Sequence, residues 1–208
     1  VDAANDNDLV HCARLVQDWP ALTGADAMPV FLARAWRQRN NAGKARAAAE
    51  LPGVTGHEVV LAGSCADATL RQLDHFEARQ PLFRIDLLEA TSDEDAMVAR
   101  ALTWAKTRIG KGPIGVSSSA NPETVARIQA VIGRDGAARL AERILGKVAA
   151  GLYSQGARRF VVAGGETSGR VINSLNIKRV RVASFDDLGG GYCYAEAPEP
   201  MSILLKAG

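Results

Sequence analysis

The residues of this chain best suited to chemistry are Gly164-Gly165-Glu166-Thr167-Ser168-Gly169. They follow an apolar run, Phe160-Val161-Val162-Ala163, of the kind that forms a buried parallel strand. They precede Arg170-Val171-Ile172-Asn173-Ser174-Leu175, which reads as a helix. Glycines let the main chain turn sharply and let a ligand reach amides that a Cβ would shield. The helix that follows presents N–H groups without intrahelical acceptors, together with a positive dipole end, and both favour phosphate. Strand, glycine turn and helix thus read as an anion cradle. The same letters fit an ordinary strand-to-helix turn with Thr167 or Ser168 as N-cap. The stretch is not a P-loop, since no lysine precedes Thr167 or Ser168, and it lacks G-x-G-x-x-G.

Two further loops of small polar residues follow apolar runs. Gly63-Ser64-Cys65 comes after Glu58-Val59-Val60-Leu61-Ala62, and Ser117-Ser118-Ser119 closes the run that starts at Pro113. Ser64 suits contact with a phosphate or a ribose, and equally a helix cap. Cys65 reads as a small buried thiol, because no His or Asp is placed in sequence to activate it. The three serines either line a pocket or link a strand to the helix that Asn121-Pro122-Glu123 opens. His11, His57 and His75 have no ligand spacing, Trp19, Trp36 and Trp104 read as packing residues, and Lys206 reads as a solvated lysine in a terminal strand.

The elements that must position these loops alternate. From His57 onward the pattern gives strands near 58–62, 82–87, 113–117, 160–163, 180–183 and 202–206, with helices near 66–78, 94–109 and 134–155, one opening at 121–123, and one after the glycine turn. The long helix carries Leu140, Ile144, Val148 and Leu152 on one stripe. Gly189-Gly190-Gly191 reads as a loop. This alternation predicts an α/β fold of three layers, a mostly parallel sheet with helices on both faces. A helical segment precedes it, with helices near 8–16 and 28–42, the second presenting Phe31, Leu32, Ala35 and Trp36 on one face. Leu51-Pro52-Gly53-Val54-Thr55-Gly56 punctuates the chain, so the expected division is 1–52 and 53–208. In such sheets ligands bind beyond the carboxyl ends of the strands, where all three polar loops should meet.

Composition narrows the options. The chain has 208 residues, 25 basic against 23 acidic, and only 5% aromatics, with no basic run to mark a nucleic-acid footprint. Three separated cysteines point to a reducing compartment, hence the cytoplasm, and no apolar run approaches the ~20 residues of a membrane span. A start at Val1 suggests a piece of a longer or processed protein.

Leu61-Ala62-Gly63-Ser64-Cys65-Ala66 with Thr69 and Gln72, the segment Ala163 to Gly169, and the closing Leu204-Leu205-Lys206-Ala207-Gly208 together resemble the carboxyl-terminal part of the four-carbon acid sugar kinase family. Val1-Asp2-Ala3, Asp8-Leu9 and Leu22-Thr23-Gly24 are similar to the end of that family's amino-terminal substrate domain. The resemblance implies ATP-dependent phosphorylation of a sugar acid such as 3-oxo-tetronate, threonate or erythronate. It places ATP contacts on Ser64, Gly164, Gly165, Glu166, Thr167 and Gly208, and assigns the sugar acid mainly to the amino-terminal domain. The sequence departs from the family at Ala207, where serine is usual, in the loop 187–191, which lacks a proline-containing motif, and in residues 23–27.

Glu166 beside phosphates would repel them unless Mg²⁺ intervenes, and it could instead meet a ribose hydroxyl or simply favour the helix start. No catalytic base and no metal site built from protein ligands stand out. Alternatives are a non-catalytic nucleotide- or metabolite-binding regulatory module and, disfavoured by the lack of G-x-S-x-G, a hydrolase using Ser64 or Cys65. The expected partners are ATP and a small sugar acid, with a homodimer as the assembly to test and neither nucleic acid nor membrane.

Overall fold

The computed structural model describes residues 2–24, 27–40, 50–183, 190–196 and 198–206. It divides into two compact units, Val1–Ala47 and Ala48–Gly208.

The first unit holds helices α1 (Asp6–Val16) and α2 (Met28–Arg39). Asn5 caps α1 by accepting from the Asn7 and Asp8 amides, and the Asp8 carboxylate reaches back to the Asn5 amide at 3.3 Å. Pro29 stands in the first turn of α2, where its missing N–H costs nothing. Cys12, Ala13, Val16 and Phe31 are buried. The apolar stripe expected on α2 is buried only at Phe31, and Trp36 is 57% exposed. Trp19 is 61% exposed as well, so neither ring packs as the sequence suggested. Two helices alone bury only the seam between them. The expected extension of α2 to residue 42 lies outside the described residues beyond Asn40.

The second unit is a seven-stranded sheet in the order β2-β3-β1-β4-β7-β6-β5. Its elements in chain order are β1 (His57–Ala62), α3 (Asp67–Glu77), β2 (Leu82–Arg84), α4 (Leu87–Ala90), α5 (Glu94–Lys106), β3 (Ile114–Ser117), α6 (Pro122–Ile132), α7 (Arg134–Ser154), β4 (Ala157–Ala163), α8 (Gly165–Ser174), β5 (Arg181–Val182), β6 (Gly190–Ala195) and β7 (Met201–Lys206). β2, β3, β1, β4 and β7 run parallel, and β6 is antiparallel to both β7 and β5.

Period-two alternation sorts the strand residues between faces. Val59, Leu61, Phe160, Val162, Met201 and Ile203 share one continuous core with α5, α7 and α8. Leu140, Ile144, Val148 and Leu152 line the buried stripe of α7, as the periodicity predicts. On the opposite face Leu73 of α3 packs against Ala62, Ala163 and Leu82. Helices thus cover both faces, giving the three-layer α/β architecture expected.

Two differences from the sequence expectation have local causes. The strand expected through Leu87 ends at Arg84, because the Asp86 carboxylate caps the Leu88 and Glu89 amides and starts α4. The glycine run near 190 opens a strand rather than remaining a loop, since β6 is paired on both sides and buries Cys193 and Ala195.

Candidate functional site

Arg84, Ser117, Ala62, Ala163 and Lys206 form one row across five parallel strands. The loops that leave this row therefore share one carboxyl edge. The ladder continues one residue further: the Gly63 amide donates to the Ala163 carbonyl at 3.0 Å, the Gly164 amide to the Lys206 carbonyl at 3.0 Å, and the Ser118 amide to the Ala62 carbonyl at 2.9 Å. β1 feeds α3 on one face while β4 feeds α8 on the other. The two connections diverge, and it is at the carboxyl ends of such a switch point that open α/β sheets form their ligand crevice.

Two glycines bring the walls of that crevice together. Gly164 has φ +115°, a conformation that side chains rarely adopt, and it turns β4 into α8 with no loop between them. A Cβ on Gly63 would lie 2.2 Å from Thr167 Oγ1, and one on Gly164 would lie 3.3 Å from the Ser64 amide. The Gly63-Ser64 turn and the start of α8 therefore touch. Gly165 is exposed, and a Cβ there would meet nothing within 4 Å.

Neither Thr167 nor Ser168 is the N-cap that the sequence allowed. The cap position is Gly164, so both residues fall inside the first turns of α8, where Ser168 Oγ donates to the Gly164 carbonyl at 2.7 Å. Side chains of Asp86, Asp93 and Asn121 cap α4, α5 and α6. α3 and α8, which start at the crevice, have no side-chain cap, and α7, which follows α6 directly through Gly133, has none either. The first amides of α3 and α8 consequently face the carboxyl edge with no intrahelical acceptor.

The buried polar residues reinforce the location. Among the described residues these are Thr69, Ser117, Ser118, Ser119, Thr167 and Ser168, and all six belong to the carboxyl edge or to the first turns of α3 and α8. Ser117 Oγ donates to the Ala62 carbonyl at 3.2 Å and accepts from the Ser119 amide at 3.0 Å. Ser118 Oγ and Ser119 Oγ are buried with no hydrogen-bond partner. A buried hydroxyl left unpaired costs roughly 1–3 kcal/mol, so a polar group brought to this pair would gain most there. The run of three serines was the sequence signal for them, although linker serines look the same.

Of the expected contacts, Ser64, Gly164, Gly165, Glu166 and Thr167 come together at the crevice. Ser64 is partly buried, and its Oγ accepts from the Ala66 amide at 3.3 Å. Glu166 is exposed in the first turn of α8. Gly208, like Ala207 and most of loop 187–191, lies outside the described residues. Cys65 is exposed, not buried as expected, because it sits in the turn ahead of α3. Lys206 is half-buried rather than solvated, with Nζ 3.3 Å from Thr69 Oγ1. Each histidine has its own local partners: His11 bonds the Asn7 carbonyl, His75 faces Arg79, and His57 packs beside Gly110 and Gly156. Trp104 packs as expected, its ring 5.5 Å from that of Phe83. Among the described residues, no group of three or more His, Cys, Asp or Glu is placed to hold a metal ion.

The arrangement is a mostly parallel α/β sheet that gathers bare amides, crowded glycines and buried hydroxyls at one switch point. The chain belongs to the family described as the nucleotide-binding C-terminal domain, which it matches over residues 59–208. It is 39% identical over 210 residues to the 3-oxo-tetronate kinase of Pseudomonas fluorescens, covering 100% of this chain and 47% of that one. It is 34% identical over 182 residues to the 3-oxo-tetronate kinase of Escherichia coli, covering 86% of this chain and 46% of that one. A solved structure from Salmonella typhimurium superimposes with a TM-score of 0.75 at 30% identity, over 100% of this chain and 48% of that one. The resemblance to the four-carbon acid sugar kinases holds. The chain spans about half the length of the curated relatives it matches.

Proposed function

We propose that this chain supplies the ATP-binding part of a kinase that phosphorylates a four-carbon sugar acid, with 3-oxo-tetronate the first substrate to test and threonate or erythronate next. The observation that carries this reading is the close approach of the Gly63-Ser64 turn, which leads into uncapped α3, to the uncapped start of α8 at Gly164 and Thr167. The amides of Gly165, Glu166 and Thr167 would bind the phosphates, and Ser64 would donate its hydroxyl from the facing turn. Gly208 stays in this proposal on the family resemblance alone. The unpaired hydroxyls of Ser118 and Ser119 would take polar groups of the bound nucleotide or of the acceptor.

Phosphoryl transfer asks for position and for neutralised charge more than for covalent chemistry. Converging amides and two positive helix ends provide both without rearranging. The exposed carboxylate of Glu166, beside that row of amides, would suit a Mg²⁺ shared with phosphate oxygens and water. Bound there, Mg²⁺ would supply charge neutralisation on the phosphates. The sugar acid and the base for its hydroxyl belong, in this proposal, to the substrate domain whose end residues 1–52 provide, residues 53–208 being the nucleotide domain. Three free cysteines fit the reducing cytoplasm, and a homodimer is the assembly to check by sedimentation.

The test is calorimetry with ATP, ADP and NAD⁺ on the full natural protein, joined to an assay of ADP release with each sugar acid. ATP binding with phosphorylation of one acid is the expected result. ATP binding without transfer to any acid would favour the regulatory module, and absence of nucleotide binding would overturn the proposal.

A further inference from the structure

Of the three serines that close β3, only the first uses its hydroxyl within the fold. Ser117 Oγ bonds the Ala62 carbonyl and the Ser119 amide. The main chain of the turn is fixed from both neighbouring strands: the Ser118 amide donates to the Ala62 carbonyl at 2.9 Å, and the Ser117 carbonyl accepts from the Ile85 amide at 2.8 Å. The Ser118 and Ser119 hydroxyls have no such role. Both are buried and unpaired, and neither caps α6, whose first turn is held by Asn121 Oδ1 on the Thr124 amide. The two residues are 5% and 6% exposed, at the sheet edge. A serine re-aims its hydroxyl by one χ1 turn between staggered wells, so a group arriving at that edge can be met without moving the main chain.

Position and charge narrow what that group is. Ser117 and Ala163 lie on either side of Ala62, two strand spacings or about 10 Å apart. A phosphate seated on the first amides of α8 does not span that distance, whereas a more extended part of the same ligand, or a second ligand beside it, does. Arg84, the basic neighbour of Ser117 in the row, is engaged by Glu77 at 2.7 Å and by Asp74 at 3.1 Å. What the serine pair offers is two neutral groups, each able to donate and to accept, which suits another hydroxyl better than a phosphate or a carboxylate.

From this geometry we infer that Ser118 and Ser119 form a subsite for sugar hydroxyls, on the side of the Gly63-Ser64 turn away from α8. The inference rests on the ATP and sugar-acid reading above and narrows it. The hydroxyls belong either to the ribose of the nucleotide or to the acceptor.

The test uses Ser118→Ala, Ser119→Ala and, as a control, Ser117→Ala in the full natural protein. Without ligand, Ser118→Ala and Ser119→Ala should hold or raise Tm, since each deletes a buried hydroxyl that has no partner, while Ser117→Ala should lower it. One neutral hydrogen bond corresponds to a change in affinity of about 2- to 10-fold. If ribose is the source, ATP and adenosine should both weaken by that factor, and the variant should lose discrimination against 2′-deoxy- or 3′-deoxy-ATP. If the acceptor is the source, KM for the sugar acid should rise by that factor with ATP affinity unchanged. Unchanged ATP affinity and unchanged KM in both variants, or a fall in Tm in either, would overturn the inference while leaving the ATP reading intact. No ATP binding by the unsubstituted protein would overturn both.

Discussion

Adjacent glycines at the start of α8 should respond to the same substitution with opposite signs. Gly165 is the first residue of α8, exposed, with nothing within 4 Å of an added Cβ. Alanine there restricts the unfolded chain and suits a helix, a gain of about 0.5–1 kcal/mol. For a domain of this size that corresponds to a rise in Tm of roughly 1–4 °C. Gly164, one residue earlier, has φ +115° and ψ 131°, and its Cβ would press on Thr167 Oγ1 at 3.1 Å and on the Ser64 amide at 3.3 Å. Backbone strain of this kind costs about 1–3 kcal/mol, a fall of roughly 2–12 °C. Gly165→Val should in turn abolish measurable ATP binding, or weaken it by about 100-fold, with little change in stability, since its branches would occupy the open space over the amides. Thermal and urea unfolding of the alanine variants, with calorimetry on Gly165→Val, check the set. A loss of stability in Gly165→Ala comparable to that in Gly164→Ala would refute the backbone argument. Normal ATP affinity in Gly165→Val would refute the cradle.

Gly63→Ala should destabilise by about 1–3 kcal/mol, because its Cβ would meet Thr167 Oγ1 at 2.2 Å and Leu145 Cδ1 at 3.1 Å, and adding Thr167→Ala should return part of that loss in a double-mutant cycle. Burial alone would raise the Glu94 carboxyl, but its hydrogen bonds with Arg143 and Lys147 outweigh this and hold it below its ordinary value. Its contribution is therefore complete above the unfolded pKa of about 4.3 and is lost as pH falls through the lower folded value, so Glu94→Gln should flatten the acid side of the stability curve measured by urea unfolding from pH 6 to about pH 3. Of the three free thiols, Cys65 is exposed while Cys12 and Cys193 are buried, and burial pushes the Cys193 thiol up; one equivalent of Ellman's reagent should react quickly with the native protein, and ATP should slow that step.

Much of this site could be read from residue order. Apolar runs bounded by glycine and serine gave the strands β1, β3 and β4, and the rule that ligands gather beyond strand ends placed Ser64 and Gly164 to Thr167 together. The i, i+4 stripe of α7 and the Asn121 cap were equally plain, since both depend on local spacing. What escaped was set by pairing and by reach. β6 was hidden because glycines suggest turns, whereas two neighbouring strands supply its hydrogen bonds. The shortness of β2 depended on one capping carboxylate, Asp86. The partnership of Lys206 with Thr69 joins residues 137 apart in sequence, and no local pattern encodes such a pairing. Burial of Ser118 and Ser119 without partners is likewise visible only once the neighbouring strands are in place.

The passage from β4 into α8 through a single residue has a kinetic corollary. With no slack between strand and helix, the amides proposed to take phosphate are held in place by the turn itself. Under the proposed ATP reading, arrival of a nucleotide at these amides should accordingly be limited by diffusion and charge rather than by a rearrangement of this turn.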